Sequence, residues 1–340
     1  MKVRSLRSPL ALLAAAVVLV ALAPTGAHAG EEREAAPEPS PGCRSSAPVA
    51  AGEEKVTTTS GGVERWYHRH VPPARDGNEP VPVVIDLHGY LEGADIHKAH
   101  SALGAYGDEQ GFVTVTPQGT GDPVRWDATV DSADMAFIGD LLDEIEATLC
   151  VDERRVFVTG LSNGAFMTSA IACAYADRIA AAAPVAGIRE IEGCDPDRAV
   201  PVVAFHGTDD GFVAFDGGLG EDAGDLPAPD GSGRTLDESE TGRSAAEGPS
   251  IPEITAAWAD RNDCKAKPKR KEIASDVTLV RYRCADGADV QLYRVEGGGH
   301  SWPGSEFSRQ IESVTGPTTF SISANEVMWE FFERHPLPED

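Results

Sequence analysis

Arg155-Val156-Phe157-Val158-Thr159-Gly160-Leu161-Ser162-Asn163-Gly164 is the stretch around which the rest of the chain must fold. Its first half is a β-branched and aromatic run that predicts a buried strand. Its second half reads Gly-x-Ser-x-Gly and leads into Ala165-Phe166-Met167-Thr168-Ser169-Ala170-Ile171-Ala172, which predicts a helix. A strand that turns into a helix through one serine forces that residue into a sparsely populated backbone conformation. Side chains at Gly160 and Gly164 would collide with the neighbouring strand and helix. The hydroxyl is then held at the top of a sheet, beside a helix N-terminus that favours negative charge. The five-residue motif is common by chance; the strand before it and the helix after it give it meaning.

Outward from this elbow, further strands are predicted at Val63–Val71, Pro82–Leu87, Phe112–Thr116, Ile179–Val185 and Val200–Phe205. Helices are predicted over Ile96–Gln110 and Asp134–Leu149, the second from the helical spacing of Ile138, Leu141, Leu142, Ile145 and Leu149. Such alternation predicts a single α/β domain, a mostly parallel central sheet with helices on both faces, and the serine elbow within it resembles that of the α/β-hydrolase fold. Residues 216–249 interrupt the pattern with nine acidic and two basic residues and no periodicity. They read as an insertion, either a lid or a solvated loop. Ser250 and Glu253 form a capping box for a helix ending near Cys264. Thr278–Arg283 and Val290–Val295 flank the hairpin signal Asp286-Gly287, and Ser323 with Glu326 caps a last helix through Arg334.

The chain opens with Lys2, Arg4 and Arg7, an apolar run from Leu10 to Ala23, then Ala27-His28-Ala29. That is the pattern of a secretory signal peptide over residues 1–29. A Glu-, Pro- and Ala-rich disordered leader is expected over 30–42, and the catalytic domain over 43–336. A net charge of −26 argues against nucleic acid and anionic membranes as partners. A soluble, exported monomer without cofactor or metal is expected. An even count of six cysteines in an oxidising compartment suggests three disulfides. Neighbouring elements favour Cys264–Cys284 and Cys173–Cys194, leaving Cys43–Cys150 to tie the N-terminal segment to the helix before the elbow strand.

A serine hydroxyl becomes a nucleophile only when a base takes its proton and a third group holds the base. With Ser162 as nucleophile, only His300 and His335 come late enough for the order Ser, acid, His. His335 sits at the ragged end of the last helix, whereas His300 follows a strand and three glycines, so His300 is the expected base. The acid is expected in His206-Gly207-Thr208-Asp209-Asp210, with Asp210 favoured and Asp209 the runner-up. An oxyanion needs two fixed N–H donors: the amide of Asn163 is one, and that of Tyr90, after His88-Gly89, is the other. Tyr90, Trp302 and Trp126 are expected to wall the cleft, the last two as substrate-binding aromatics. His68-x-His70 is a weak metal motif with no evident third ligand, and His97 and His100 read as surface residues of a helix.

His88-Gly89, Gly160-Leu161-Ser162-Asn163-Gly164, His206-Gly207-Thr208-x-Asp210 and Gly298-Gly299-His300-x-Trp302-Pro303-Gly304 together resemble the secreted polyhydroxybutyrate depolymerase/feruloyl esterase family. The likeness runs from about Cys43 to Pro336. It implies a serine carboxylesterase with Ser162, Asp210 and His300 as its triad and the residue after His-Gly, Tyr90, as second oxyanion donor. Many members carry Cys at that position, which changes the pocket wall but not the amide. The acidic insertion between acid and base is a second departure. The lack of an appended substrate-binding domain implies small or oligomeric esters (soluble aryl, short-chain or hydroxyacid) rather than solid polymer. A true polyester depolymerase, a peptidase or acyltransferase on the same fold, and a non-catalytic binding module are the competing expectations.

Overall fold

Period-two alternation in the strands divides the apolar side chains between two cores, one on each face of a single sheet. Val83, Ile85, Val156, Val158, Val202 and Ala204 point to one face; Val84, Phe157, Val203 and Phe205 point to the other. The computed structural model describes residues 36–44, 49–73, 79–245 and 247–339. The expected signal segment 1–29 and leader residues 30–35 lie outside the described residues. From Ala36 onward the chain forms one compact unit.

The strands are β1 (Gly52–Ser60), β2 (Val63–Val71), β3 (Val81–Leu87), β4 (Val113–Pro117), β5 (Val151–Leu161), β6 (Ala181–Val185), β7 (Val202–Gly207), β8 (Lys269–Ala274), β9 (Val277–Tyr282) and β10 (Val290–Val295). They form one ten-stranded sheet in the order β1-β2-β4-β3-β5-β6-β7-β10-β9-β8. From β4 through β10 neighbours run parallel. Antiparallel strands finish both ends. The helices are α1 (Ala94–Ser101), α2 (Leu103–Gln110), α3 (Ala133–Thr148), α4 (Asn163–Ala174), α5 (Glu240–Ala245), α6 (Ile251–Arg261), α7 (Glu306–Gln310), α8 (Glu312–Thr315) and α9 (Ala324–Glu333).

Helices α3, α4 and α6 bury Phe137, Ile138, Met167, Ile171 and Trp258 in the first core. Leu103 of α2 and Met328, Trp329, Phe331 and Phe332 of α9 fill the second, where Phe157 stacks on Phe332 with ring centroids 4.5 Å apart. The helix expected over Ile96–Gln110 is two helices, broken at Ala102, whose φ of 52° is left-handed and cannot continue a helix. Edge strands β1 and β8 carry no apolar signature in the sequence because their side chains are mostly exposed and polar.

The leader is a second correction. Pro39 pairs with Asp152, Ser40 is buried, and its hydroxyl donates to the Leu149 carbonyl at 2.6 Å. Residues 36–42 are therefore docked on the end of α3 rather than disordered. All three expected disulfides are present: Cys43–Cys150, Cys173–Cys194 and Cys264–Cys284.

Candidate active site

Ser162 stands between β5 and α4 with φ 57° and ψ −118°, a conformation that L residues other than glycine rarely adopt. Close packing holds it there. A Cβ at Gly164 would lie 2.1 Å from the Leu87 carbonyl oxygen, and one at Gly160 would lie 2.7 Å from the Gly164 oxygen. The Ser162 amide donates to Val185 of β6 at 2.9 Å, which fixes the elbow against the sheet.

His300 is carried on the loop after β10, and its Nδ1 lies 2.8 and 3.0 Å from the two carboxylate oxygens of Asp210. Asp210 sits in the loop after β7, and its Oδ1 also accepts the amides of Phe212 and Val213, both at 2.9 Å. Burial opposes its charge, but His300, its hydrogen bond and the backbone amides outweigh burial and hold the carboxyl below its ordinary value. Asp209 is exposed, and its carboxylate accepts the neighbouring Thr208 hydroxyl at 3.2 Å. The two loops touch where Gly207 meets Gly298: a Cβ on Gly207 would fall 2.1 Å from the Gly298 oxygen.

Ser162 and His300 line one cavity of about 1220 Å³, together with Gly89, Tyr90 and Asn163. No Ser162–His300 hydrogen bond is formed in this arrangement; such contacts often tighten only with substrate bound. The amides of Tyr90 and Asn163 are not engaged by backbone carbonyls among the described residues. The Asn163 side chain clasps Trp126, accepting its amide at 2.7 Å and donating to its carbonyl at 3.0 Å. Trp126 borders the cavity but is only 2% exposed and belongs to the first core, and its indole N–H donates to the His88 carbonyl, so it backs the wall more than it presents a face. His88 is itself locked: Nδ1–H donates to Gly89 and Nε2 accepts the Gly119 amide.

Trp302 is the correction among the expected wall residues. It is 1% exposed, belongs to the second core, and donates its indole N–H to Asn325. Its ring packs beneath the His300 loop instead of facing the cavity. Phe166, Phe212 and Phe307 line the cavity in its place, with Leu219, Leu226 and Leu236 from the insertion. Those three leucines are the apolar exceptions in an acidic stretch, which was the available signal that this segment covers something.

Other histidines also differ from expectation. His97 and His100 are buried, not at the surface, because each is paired to a carboxylate: His97 to Asp86 and Glu92, His100 to Glu92. His206, to which the motif alone assigns no role, lies beneath Asp210 and is hydrogen-bonded to the Val213 carbonyl; burial keeps its pKa below the ordinary value. His68 and His70 do not converge, since they bond separately to Asp95 and Asp108. His335 caps α9 through the Phe331 carbonyl.

No protein-family model matches the chain. Feruloyl esterase B of Piromyces equi is 27% identical over 241 residues, which cover 68% of this chain and 41% of that protein. The chain thus spans less than half the length of that relative. A relative from Nocardia uniformis subsp. tsuyamanensis, whose name also places it among esterases, is 27% identical over 354 residues and matched over 96% of its length. Poly(3-hydroxyalkanoate) depolymerase C of Paucimonas lemoignei is 36% identical over 128 residues, 35% of this chain and 30% of that one. These names are those of the family its motifs resemble. Among solved structures, an acetyl xylan esterase from Aspergillus awamori superposes with a TM-score of 0.54 at 14% identity, over 84% of this chain and 100% of that one. The shared fold is that of the α/β-hydrolases.

Proposed function

We propose that this chain is an exported serine carboxylesterase of the polyhydroxybutyrate depolymerase/feruloyl esterase type, with Ser162, His300 and Asp210 as its triad. The observation that carries the reading is the His300–Asp210 contact placed at the same cavity as a serine held at an elbow. Ser162 Oγ attacks the ester carbonyl carbon while His300 Nε2 takes its proton. Asp210 keeps the proton on Nδ1, so Nε2 presents a lone pair, and it stabilises the imidazolium that forms. The amides of Tyr90 and Asn163 receive the oxyanion. His300 then protonates the departing alcohol, leaving an acyl-enzyme that water cleaves by the same steps in reverse order.

The cavity supports esters with a bulky apolar part, because leucines and phenylalanines form much of its wall. Soluble aryl, short-chain and hydroxyacid-oligomer esters are the proposed substrates. The three disulfides and the apolar N-terminal segment support an oxidising, extracellular destination. Among the described residues no helix is long and apolar enough to cross a membrane.

A panel of p-nitrophenyl esters, methyl ferulate, hydroxybutyrate oligomers and p-nitroanilides tests the reading, alongside labelling of Ser162 with a phosphonylating reagent. Labelling with ester turnover and no anilide turnover is expected. Faster cleavage of anilides than esters would make it a peptidase, and a protein that neither labels nor turns over esters would defeat the assignment. Clearing of a semicrystalline polyester film without turnover of soluble esters would instead favour the depolymerase reading.

A further inference from the structure

Behind Glu92 and His100, which border the cavity, runs a buried relay of polar side chains that the reaction steps above do not use. Its centre is Glu92, whose Oε2 accepts the Gly89 amide at 2.6 Å and His97 Nδ1–H at 3.0 Å. Glu92 Oε1 accepts His100 Nδ1–H at 2.7 Å. The other nitrogen of His97 donates to Asp86 at 2.7 Å, and Asp86 also accepts the Ser101 hydroxyl at 2.6 Å. The other nitrogen of His100 accepts from the Ser308 hydroxyl at 2.6 Å, and Ser308 Oγ in turn accepts the Trp302 amide at 3.0 Å. His97 and Asp86 are essentially inaccessible, and Glu92 is only 11% exposed.

Resting on the esterase reading, we propose that Glu92 is a positioning residue for the oxyanion site. It holds the Gly89 amide so that the next amide, Tyr90, faces the scissile carbonyl, and His97 and His100 hold Glu92. The Gly89 carbonyl, in the same peptide plane as the Tyr90 N–H, is held by His88 Nδ1–H at 2.8 Å and by the Glu92 amide at 3.3 Å, so Glu92 grips both peptide units flanking Gly89, one through its carboxylate and one through its backbone. The relay also reaches the base, since Ser308 ties His100 to the amide of Trp302, two residues beyond His300. One buried network thus sets the spacing between the two loops that must act together.

The donor atoms of Glu92, His97 and His100 lie within 4.8 Å of one another, a grouping that a divalent cation could also use. Proton accounting favours hydrogen bonds. Every ring nitrogen already meets a partner of opposite role, provided that His97 carries both protons and His100 carries one, on Nδ1. Burial works against a charged His97, yet Asp86 and Glu92 overcome it and raise its pKa to about 10. Burial likewise opposes the charge on Glu92, and His97 and His100 hold its carboxyl well below the ordinary value. The groups facing His97 are Asp86 from β3, Glu92 and His88 from the loop after it, His100 on its own helix, and the neutral indole of Trp302.

The test compares wild type, Glu92→Gln, His100→Leu and His100→Asn, each normalised to sites titrated with a phosphonylating reagent. Loss of one oxyanion donor costs roughly 100–1000-fold in kcat, so a displaced donor in Glu92→Gln should cost about 10–100-fold, with KM within about threefold. Affinity for a trifluoromethyl ketone should fall by the same factor as kcat/KM. His100→Asn, whose amide reproduces Nδ1–H, should recover most of what His100→Leu loses, and this pair decides the matter if Glu92→Gln does not fold. Wild-type activity should fall above about pH 10 as His97 loses its proton, and Glu92→Gln should move that limb to lower pH. Full labelling with unchanged kcat and ketone affinity in Glu92→Gln and His100→Leu would overturn the role of Glu92 alone. Stoichiometric divalent metal in the wild-type protein would overturn it too. Absence of labelling in wild type would overturn the esterase reading itself.

Discussion

Tyr90 donates its phenolic hydrogen to the Pro227 carbonyl at 2.8 Å, so the loop bearing the proposed oxyanion amide is fastened to the acidic insertion. Tyr90→Phe keeps the amide and removes only this latch. A net hydrogen bond is worth about 1 kcal/mol, so KM for a bulky ester should rise up to about fivefold. Turnover of p-nitrophenyl acetate, too small to reach the insertion, should change less than about twofold. Equal losses on both esters, measured by steady-state kinetics, would mean that the phenol supports the chemistry and not the wall.

Members of the proposed triad should act as a unit. Ser162→Ala and His300→Ala should each lower kcat by several orders of magnitude and to a similar floor, because either alone disables proton transfer. Asp210→Asn should also be severe, since the amide cannot hold His300 in its working tautomer, whereas Asp209→Asn should retain near wild-type kcat. Severe loss in Asp209→Asn with a mild effect in Asp210→Asn would reassign the acid.

Acid stability should carry the mark of His88. Burial lowers its pKa from 6.5 to about 4. As pH falls through 6.5 the unfolded chain takes up a proton there while the folded protein does not until about pH 4. Stability from this group is therefore complete above about pH 6.5 and is lost across the window below it, by about 3 kcal/mol in total. Burial lowers the His206 pKa as well, which acts in the same direction. Urea midpoints followed from pH 7 to pH 4 should fall, and a flat series would contradict a neutral, buried His88.

Trp302→Phe should cost stability rather than substrate affinity. The change removes the indole donor from the half-buried Asn325 side-chain carbonyl, a loss of about 0.5–1.5 kcal/mol. Thermal denaturation should show it, while KM across the ester panel should stay within about twofold. A selective KM effect on aryl esters would return Trp302 to the cleft wall.

The Cys43–Cys150 bridge closes a sequence separation of 107 residues, against 21 and 20 for the other two. In the chain-entropy picture it contributes about 4–5 kcal/mol and each short bridge about 3. Paired Cys→Ser variants, compared by urea unfolding, should rank in that order. A smaller loss for the long bridge would show that the docked segment holds without it.

The elbow was legible because each of its constraints is local: a strand, a small-residue turn and a helix occupy consecutive positions. The parallel sheet followed from the succession of apolar strands and intervening helices along the chain. β1 and β8 left no such trace, as Glu53, Glu54, Lys55, Lys269, Arg270 and Lys271 face solvent. His97 and His100 were misread as surface residues because a polar residue shows its type but not its partner; Asp86, Glu92 and Ser308 meet them only in three dimensions. Trp302 was misplaced for a related reason. Proximity to His300 along the chain says which loop carries a side chain, not which side of that loop it takes.

Leu219, Leu226 and Leu236 shape the cavity, yet none of them belongs to either core. Evolution can therefore change what fits beside Ser162 by rewriting a surface segment while the sheet, the elbow and the relay stay as they are. Lineages that differ in the length or lettering of residues 216–249 should diverge in diet sooner than in architecture. For a protein engineer the same separation marks where a library can be dense without emptying itself of folded members.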